Sequence, residues 1–167
     1  MFKEGLKFTK VIKGKNVNFQ LINFSPEIPF SSITSVSVIA FNNKKEILCV
    51  SLKDRGLDIP GGHVESFDRD INDTAMRETL EEAYVKISEI KPVALIESDY
   101  HSDKVTYMAI TSATVDKEET FESEYESDGR LYMNRSDFLK TYKNFDFKIM
   151  EVLVESAYNL QPINFNE

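Results

Sequence analysis

The stretch that decides the fold is residues 58–85, which reads DIPGGHVESFDRDINDTAMRETLEEAYV. It contains a proline–glycine–glycine turn, a short polar loop and a segment with the periodicity of an α-helix. Asp70 is the predicted N-cap of this helix, and Asp73 follows near the positive end of the helix dipole. The sequence therefore predicts a glycine turn that leads into an acidic helix.

The predicted helix places different residue types on opposite sides of its axis. One arc is predicted to carry Met76, Thr79, Leu80, Ala83 and Tyr84. The opposite arc carries the acidic residues Glu78, Glu81 and Glu82, which repel one another at this spacing, with Arg77 beside them. Carboxylate oxygens are the ligands that Mg²⁺ prefers. A metal-binding face is therefore predicted, and a purely solvated acidic face is the alternative.

The spacing between the glycine turn and the acidic helix resembles the Nudix box. That motif reads Gly, five residues, Glu, seven residues, then Arg-Glu-(aliphatic)-x-Glu-Glu-x-Gly-(aliphatic). The matching residues here are Gly62, Arg77, Glu78, Glu81, Glu82 and Val85. The resemblance implies an α/β fold of the Nudix type, an α/β/α sandwich with a mixed sheet, and one Nudix hydrolase domain over residues 1–167.

Three features depart from the motif. The loop is one residue too long, so the first glutamate position falls on Asp68 counted from the glycine and on Arg69 counted from the arginine. Thr79 stands where an aliphatic residue is usual. Tyr84 replaces the final glycine, which would end the helix in a left-handed conformation. Because that conformation is unfavourable for other residues, the helix is predicted to run a little beyond Tyr84.

The resemblance also implies which residues form the site. The expected metal ligands are the Gly61 carbonyl, Glu78, Glu81 and Glu82. The expected catalytic residues are Arg77, Glu78, Glu81 and Glu124. The expected substrate-binding residues are Arg55 and Gly62. Arg77 is expected to orient the carboxylates, especially Glu81 one helical turn away.

The general base is the least specified part of the predicted site. Nudix enzymes often take it from the box or from a glutamate in a later loop. Glu122, Glu124 and Glu126 lie in such a segment here, and most acids of that segment are expected to be solvated. Glu65 and Asp68 are further candidates for contacts to metal or water.

Patterns outside the box predict the remaining elements. Two hairpins are predicted, formed by residues 7–12 with 16–24 and by 35–41 with 46–51. Further strands are predicted at 57–60, 92–97, 105–115 and 130–133. The acidic residues 116–129 are predicted to form a mobile loop. Ser136 is the predicted N-cap of a short helix through Leu139, and residues 147–159 are predicted to form an amphipathic helix.

Composition limits the classes of partner. The 167 residues are 41% hydrophobic and 29% charged, as in an ordinary globular protein. A formal net charge of −8 argues against a long nucleic acid as partner, but not against a small nucleotide bound with a metal. No apolar run approaches the roughly 20 residues of a membrane span. The one cysteine, Cys49, is expected to be buried and fits a reducing cytoplasm, and a homodimer is left open.

The resemblance to the Nudix family implies a hydrolase that uses Mg²⁺ or Mn²⁺ on the phosphoanhydride of a nucleoside diphosphate linked to another group, X. A nucleoside triphosphate pyrophosphatase of the MutT-like branch, giving the monophosphate and pyrophosphate, is one form of this prediction. The absence of tryptophan excludes the signature of NADH-cleaving members. The alternative is a catalytically weak Nudix-fold module that binds and senses a nucleotide. The altered first glutamate favours the module, and the intact acidic helix favours the enzyme.

Overall fold

The computed structural model describes residues 5–162. The strands in that range are β1 (Lys7–Ile12), β2 (Lys15–Asn23), β3 (Ile33–Phe41), β4 (Ile47–Leu52), β5 (Gly56–Asp58), β6 (Gly61–His63), β7 (Val85–Ser98), β8 (Thr106–Glu118) and β9 (Ser127–Met133). The helices are α1 (Ile71–Ala83), α2 (Arg135–Thr141) and α3 (Phe147–Asn159), with a 3₁₀ turn at Phe30–Ser32. The acidic helix α1 therefore lies between the glycine pair and the longest strands.

The strands form one mixed sheet, as predicted. Their order is β1-β2-β7-β8-β3-β4-β5, with β6 beside β3 and β9 beside β4. β3 and β8 run parallel, and β7 and β8 run antiparallel. The first hairpin is confirmed, with Lys7 opposite Gln20. In the second, the described ladder joins β3 to β4 at Phe41 and Ile47, because β6 takes the rest of that edge of β3.

Side chains alternate between the two faces of the central strands and so form two separate cores. In β3, Val36 and Val38 belong to the core that includes Ala75 of α1. Ile39 belongs to the opposite core, which is filled by α2 and α3 side chains such as Leu153. Because side chains in a strand point alternately to opposite faces, one strand supports a helix on each side. Helices on both faces of a mixed sheet confirm the predicted α/β/α architecture.

The helices of the second face begin where short acidic or amide side chains cap them. The predicted amphipathic helix is confirmed as α3, with Asp146 as N-cap accepting from the Ile149 N–H at 3.0 Å. The prediction for α2 was wrong: Asn134, not Ser136, is its N-cap, accepting from the Asp137 N–H at 2.8 Å. Asn and Ser are both good caps, so sequence alone did not choose between them.

The acidic segment 116–129 is only partly a loop, which corrects the prediction. β8 extends to Glu118 and β9 begins at Ser127, so residues 119–126 alone connect them. Acidic residues are poor strand formers. Here the last residues of β8 pair with β7, and the first residues of β9 pair with β4. These partners are distant in sequence, so the sequence pattern does not show them.

No helix within residues 5–162 has both the length and the apolar character needed to cross a lipid bilayer.

Candidate active site on the acidic helix

The glycine pair is required because backbone and side chains approach it closely. It was predicted as a turn, but it lies in strand β6, paired with β3. A Cβ atom at Gly61 would meet the Val36 carbonyl oxygen at 2.7 Å and the Ser37 Cα at 2.9 Å. A Cβ atom at Gly62 would overlap the carboxylate of Glu78. The two glycines therefore let the backbone of β6 lie directly against β3 and the acidic side of α1.

Helix α1 begins as predicted and ends differently. Asp70 is its N-cap and accepts from the Asp73 N–H at 2.9 Å. The helix ends at Ala83, and Tyr84 takes the left-handed conformation with φ 55° and ψ 44°. The predicted continuation past Tyr84 was therefore wrong. The Tyr84 N–H still donates to the Leu80 carbonyl at 3.0 Å, so a tyrosine forms the helix end that the motif assigns to glycine.

The buried face of α1 takes residues from both predicted arcs. Met76 and Leu80 are 43% and 39% exposed, whereas Glu78 and Glu82 are 8% and 7% exposed. The buried positions follow one helical stripe: Thr74, Ala75, Glu78, Thr79, Glu82 and Ala83. The small members of this stripe let α1 lie close to the sheet. Thr79 fits there because its hydroxyl donates to the Ala75 carbonyl at 2.7 Å.

Arg77 joins the acidic helix to the preceding loop. Its guanidinium donates twice to Asp68, with Nη2–Oδ2 at 2.8 Å and Nε–Oδ1 at 3.2 Å. It also reaches Glu78 Oε1 at 2.8 Å and the His63 carbonyl at 2.9 Å. Its distance to Glu81 Oε2 is longer, at 3.6 Å. Arg77 therefore holds Asp68 and Glu78 in place more directly than it holds Glu81. Its hydrogen bonds to Asp68 and Glu78 raise the pKa of Arg77, and the bond to Asp68 has the larger effect.

Asp68, and not Arg69, stands beside Arg77. The Asp68 side chain is 3% exposed and also accepts from the Thr74 hydroxyl and the Glu65 N–H, both at 2.9 Å. The hydrogen bond from Arg77 is the main reason that the pKa of Asp68 is lowered to about 2. Arg69 is largely exposed and pairs with the first turn of the helix. Counting the motif forward from Gly62 therefore assigns its first glutamate position to Asp68, the residue that is packed against Arg77.

Glu82 lies in the opposite environment. Its Oε2 atom is buried and has no hydrogen-bond partner among residues 5–162. Burial is the main reason that its pKa is raised to about 8, and the charges of Glu78, Asp58 and Glu126 raise it further. Arg55 opposes this effect. A buried polar atom without a partner is unfavourable unless a ligand or ion satisfies it.

Asp58 is a neighbour of Glu82 that the motif did not single out. Its carboxylate accepts from the Ile59 N–H at 2.8 Å and from the Asn144 amide at 3.2 Å. Burial raises the pKa of Asp58. Burial also raises the pKa of Glu78, and the hydrogen bond from Arg77 opposes that rise. Asp58 ends the short strand just before the Pro-Gly-Gly sequence. That position was the available signal, because strand ends next to glycine turns bring side chains to the site.

The glutamates of residues 119–126 differ in their contacts. Glu124, the predicted base, and Glu126 are both exposed, and the Glu124 backbone N–H donates to the Tyr84 hydroxyl at 2.9 Å. The charge of Glu126 contributes to the raised pKa of Glu82, after burial, Glu78 and Asp58. Arg55, predicted to bind substrate, has a half-exposed side chain, and its Nε atom lies 3.8 Å from Asp54 Oδ1. The structure therefore brings Glu126 and Arg55 into the electrostatic surroundings of Glu82.

The carboxylates fit a divalent cation in chemistry. Within the described residues, no three His, Cys, Asp or Glu side chains already stand in a metal-coordinating arrangement. Yet the Glu82 oxygen that lacks a partner in residues 5–162 lies in a field of three further carboxylates. Oxygen atoms with this excess of negative charge are the donor set that hard divalent cations take.

Comparison with known proteins identifies the family. The NUDIX domain model matches residues 32–153. No curated protein is significantly similar in sequence. Among solved structures, a mutant of the pyrophosphohydrolase BsRppH from Bacillus subtilis has a TM-score of 0.68 at 22% identity, over 86% of this chain and 89% of that chain.

Two further structures share the fold. The Nudix domain of Shewanella oneidensis NrtR, complexed with ADP ribose, has a TM-score of 0.60 at 15% identity, over 82% of this chain and 93% of that one. A MutT of Aliivibrio salmonicida or Vibrio cholerae has a TM-score of 0.55 at 17% identity, over 74% of this chain and 96% of that one. At these identities the likeness establishes the fold alone. The match of the NUDIX domain to most of the chain confirms the sequence prediction: this chain belongs to the Nudix family of hydrolases.

Proposed function

We propose that this Nudix hydrolase cleaves the phosphoanhydride of a nucleoside diphosphate linked to another group, X, with Mg²⁺ or Mn²⁺ as cofactor. The observation that carries the proposal is the buried Glu82 oxygen, which has no partner in the described part of the chain. The charges of Glu78, Asp58 and Glu126 act on the same carboxylate. A protein keeps such an arrangement where an ion or substrate completes it.

The proposed ligands are the Gly61 carbonyl, Glu78, Glu81 and Glu82. Glu78 is held by Arg77 on one oxygen, and the glycine at position 62 leaves room for its carboxylate against β6. The cation, when bound, supplies positive charge against the phosphate oxygens and favours deprotonation of water. Arg77 acts as a positioning residue in this arrangement, because it ties Glu78 to the rigid loop at Asp68.

We propose Glu126 as the general base in place of Glu124. The charge of Glu126 acts on Glu82, and its backbone carbonyl accepts from the Lys53 N–H at 3.3 Å, whereas the Glu124 backbone N–H donates to the Tyr84 hydroxyl. Water forms a new bond to phosphorus, its proton passes to the Glu126 carboxylate, and the anhydride P–O bond breaks. The electron pair of that bond goes to the leaving phosphate. Such a transfer depends mainly on positioning and electrostatics.

The substrate is proposed as a small nucleotide. The NrtR domain that shares the fold was solved with ADP ribose, which is a nucleoside diphosphate linked to a sugar. The pyrophosphohydrolase and MutT neighbours support phosphoanhydride chemistry, so a triphosphate, a sugar nucleotide or a dinucleoside polyphosphate belongs to the same class. Arg55 and the Gly62 backbone are proposed to contact the phosphates. The net charge of −8 disfavours long nucleic acid.

We also propose that residues 1–167 act as a single domain. Both helix layers pack on one continuous sheet in the described residues, which supports this organisation. Cys49 is fully buried, and burial raises the pKa of its thiol to about 12, so it is a packing residue. A reducing cytoplasm suits a protein whose one cysteine has this role.

The second candidate function is a nucleotide-binding module with weak turnover. It is favoured by the absence, in residues 5–162, of three carboxylates already in coordinating positions. A sensor needs affinity for the nucleotide and not a fully assembled catalytic centre. It would share the fold and the acidic helix with the enzyme.

Turnover in ¹⁸O-labelled water distinguishes the two functions. ADP ribose, a dinucleoside polyphosphate and a nucleoside triphosphate would be tested with and without Mg²⁺ or Mn²⁺, and both products analysed by mass spectrometry. The expected result is metal-dependent hydrolysis with label on a phosphate oxygen, lost in Glu82→Gln and kept in Glu151→Gln, an exposed control on α3. Tight nucleotide binding without hydrolysis would support the module instead.

A further inference from the structure

The C-terminal end of the acidic helix is fastened to the loop that follows β8. We call residues 119–126 the acidic loop, since four of its eight residues are glutamates. Arg130 Nη1 donates to the carbonyl oxygens of Ala83 at 3.0 Å, Tyr84 at 3.2 Å and Glu119 at 2.7 Å. At the other end of the loop, the Ser127 hydroxyl donates to the Glu82 carbonyl. The two ends of the loop are therefore held on the last turn of α1.

Tyr84 holds the beginning and the middle of this loop. Its carbonyl accepts from the Glu119 N–H at 2.7 Å, and its ring packs edge-on against Phe121 with centroids 4.9 Å apart. Its hydroxyl accepts from the Glu124 N–H at 2.9 Å. The side chain is nearly buried, with 9% of its surface exposed. A glycine, the residue of the motif at this position, would supply the backbone contact but neither of the two side-chain contacts.

The conformation of Tyr84 indicates that these contacts matter. A non-glycine residue in the left-handed region is strained, and such strain persists where the surroundings determine it. Here the surroundings are Arg130 and the acidic loop, which both contact the same residue. Glycine would relieve the strain and lose the side chain. The structure thus shows a residue whose unfavourable backbone is retained together with a set of loop contacts.

The loop contact of Tyr84 is close in sequence to the proposed base. Glu126 follows Glu124 by two residues, and its backbone carbonyl accepts from the Lys53 N–H at 3.3 Å. The Glu126 segment therefore lies between the Tyr84 hydroxyl on one side and Lys53, the residue after strand β4, on the other. Its position relative to Glu82 depends on both attachments, because Glu82 lies on the helix that Tyr84 ends.

We propose that Tyr84 is a positioning residue, which holds the acidic loop against α1 and thereby sets where Glu126 stands relative to Glu82. It does not contact substrate in this role but acts through Glu126. The inference rests on the proposed function for the catalytic role of Glu126. The holding of the loop by the Tyr84 hydroxyl is a separate claim, and the experiment tests the two separately.

The first measurement is hydrogen exchange in Tyr84→Phe, which keeps the ring and removes the hydroxyl. The Glu124 amide loses its acceptor, so its exchange should become roughly tenfold faster, while core strand amides should not change. Tyr125→Phe is the matched control, since Tyr125 lies in the same loop and is 48% exposed. Unchanged exchange in Tyr84→Phe would overturn the inference whether or not the protein is an enzyme.

The second measurement is a double-mutant cycle on turnover. Tyr84→Phe should lower kcat by roughly twofold to tenfold, the value of one net hydrogen bond, with KM unchanged. In the Glu126→Gln background the same change should have no further effect, because Tyr84 acts through Glu126. Additive losses would overturn the positioning role. If the wild type hydrolyses no phosphoanhydride, the proposed function fails, while faster exchange still establishes Tyr84 as the residue that holds the loop.

Discussion

The two sides of the acidic helix differ in how their carboxylates are satisfied. On the side of the preceding loop, Asp68 has Arg77, Thr74 and the Glu65 N–H as partners, and its pKa is lowered to about 2. On the side of the acidic loop, Glu82 has a buried oxygen that lacks a partner within residues 5–162, and its pKa is raised to about 8.

This difference separates structure from chemistry within one motif. The Asp68–Arg77 side is complete within the protein, so it serves to hold the helix and the loop in place. The Glu82 side is incomplete, so it is where a cation and phosphate oxygens would be accommodated. Changes on the first side should affect mainly folding, and changes on the second side mainly turnover and metal binding.

The largest effect is expected from breaking the satisfied side. Asp68→Ala removes the main partner of Arg77, which keeps its contacts to Glu78 and the His63 carbonyl, so the free energy of unfolding should fall by about 3 kcal/mol. Urea denaturation measures this loss. Arg69→Ala, at the exposed neighbouring position, should change it by less than about 0.5 kcal/mol. Greater damage from Arg69→Ala would mean that the loop assignment is wrong.

Glu82→Gln tests the unsatisfied side. It keeps the size of the side chain and removes one charge, so turnover should fall by roughly a hundredfold, or on the order of 3 kcal/mol. The metal-free protein should remain folded, because the protonated form of Glu82 and glutamine are alike in charge. Steady-state kinetics and circular dichroism check the two parts. Equal turnover in wild type and variant would remove Glu82 from the site.

Metal binding should stabilise the protein through the same residue. At a Mn²⁺ concentration about a hundred times Kd, the free energy of unfolding should rise by roughly 2.7 kcal/mol. The increase should be much smaller in Glu82→Gln and unchanged in Arg69→Ala. Thermal denaturation with added Mn²⁺ or EDTA measures it. A stabilisation that survives Glu82→Gln would show that the ion binds elsewhere.

The pH dependence of the metal-free protein also tests the unsatisfied side. The folded-state pKa of Glu82 is raised from 4.5 to about 8, so the folded state holds a proton that the unfolded state has lost. Stability should therefore decline as pH rises from about 4.5 to 8 and level off above that. The decline should be weaker in Glu82→Gln, and equal slopes would contradict the assignment.

The sequence by itself determined the elements whose signals are local. Asp70 as the cap of α1, the first hairpin and the helix at Phe147–Asn159 follow from capping chemistry and periodicity, and the structure has them as predicted. The Nudix family followed from the resemblance of the glycine pair and the acidic helix to the Nudix box. Such features depend on residues within a few positions of each other, so a single sequence contains what is needed to predict them.

Only the tertiary structure decided which residues turn inward. Met76 and Leu80 share an arc with Thr79 and Ala83, yet they are exposed, whereas Glu78 and Glu82 are buried. Gly62 leaves room for the Glu78 carboxylate. Tyr84 ends the helix in a conformation that local preference disfavours, because Arg130 and residues 119–126 hold it there. Asp58 and Glu126 reach Glu82 from distant parts of the chain. Burial and charge at a site arise from contacts between residues far apart in sequence, which local patterns do not encode.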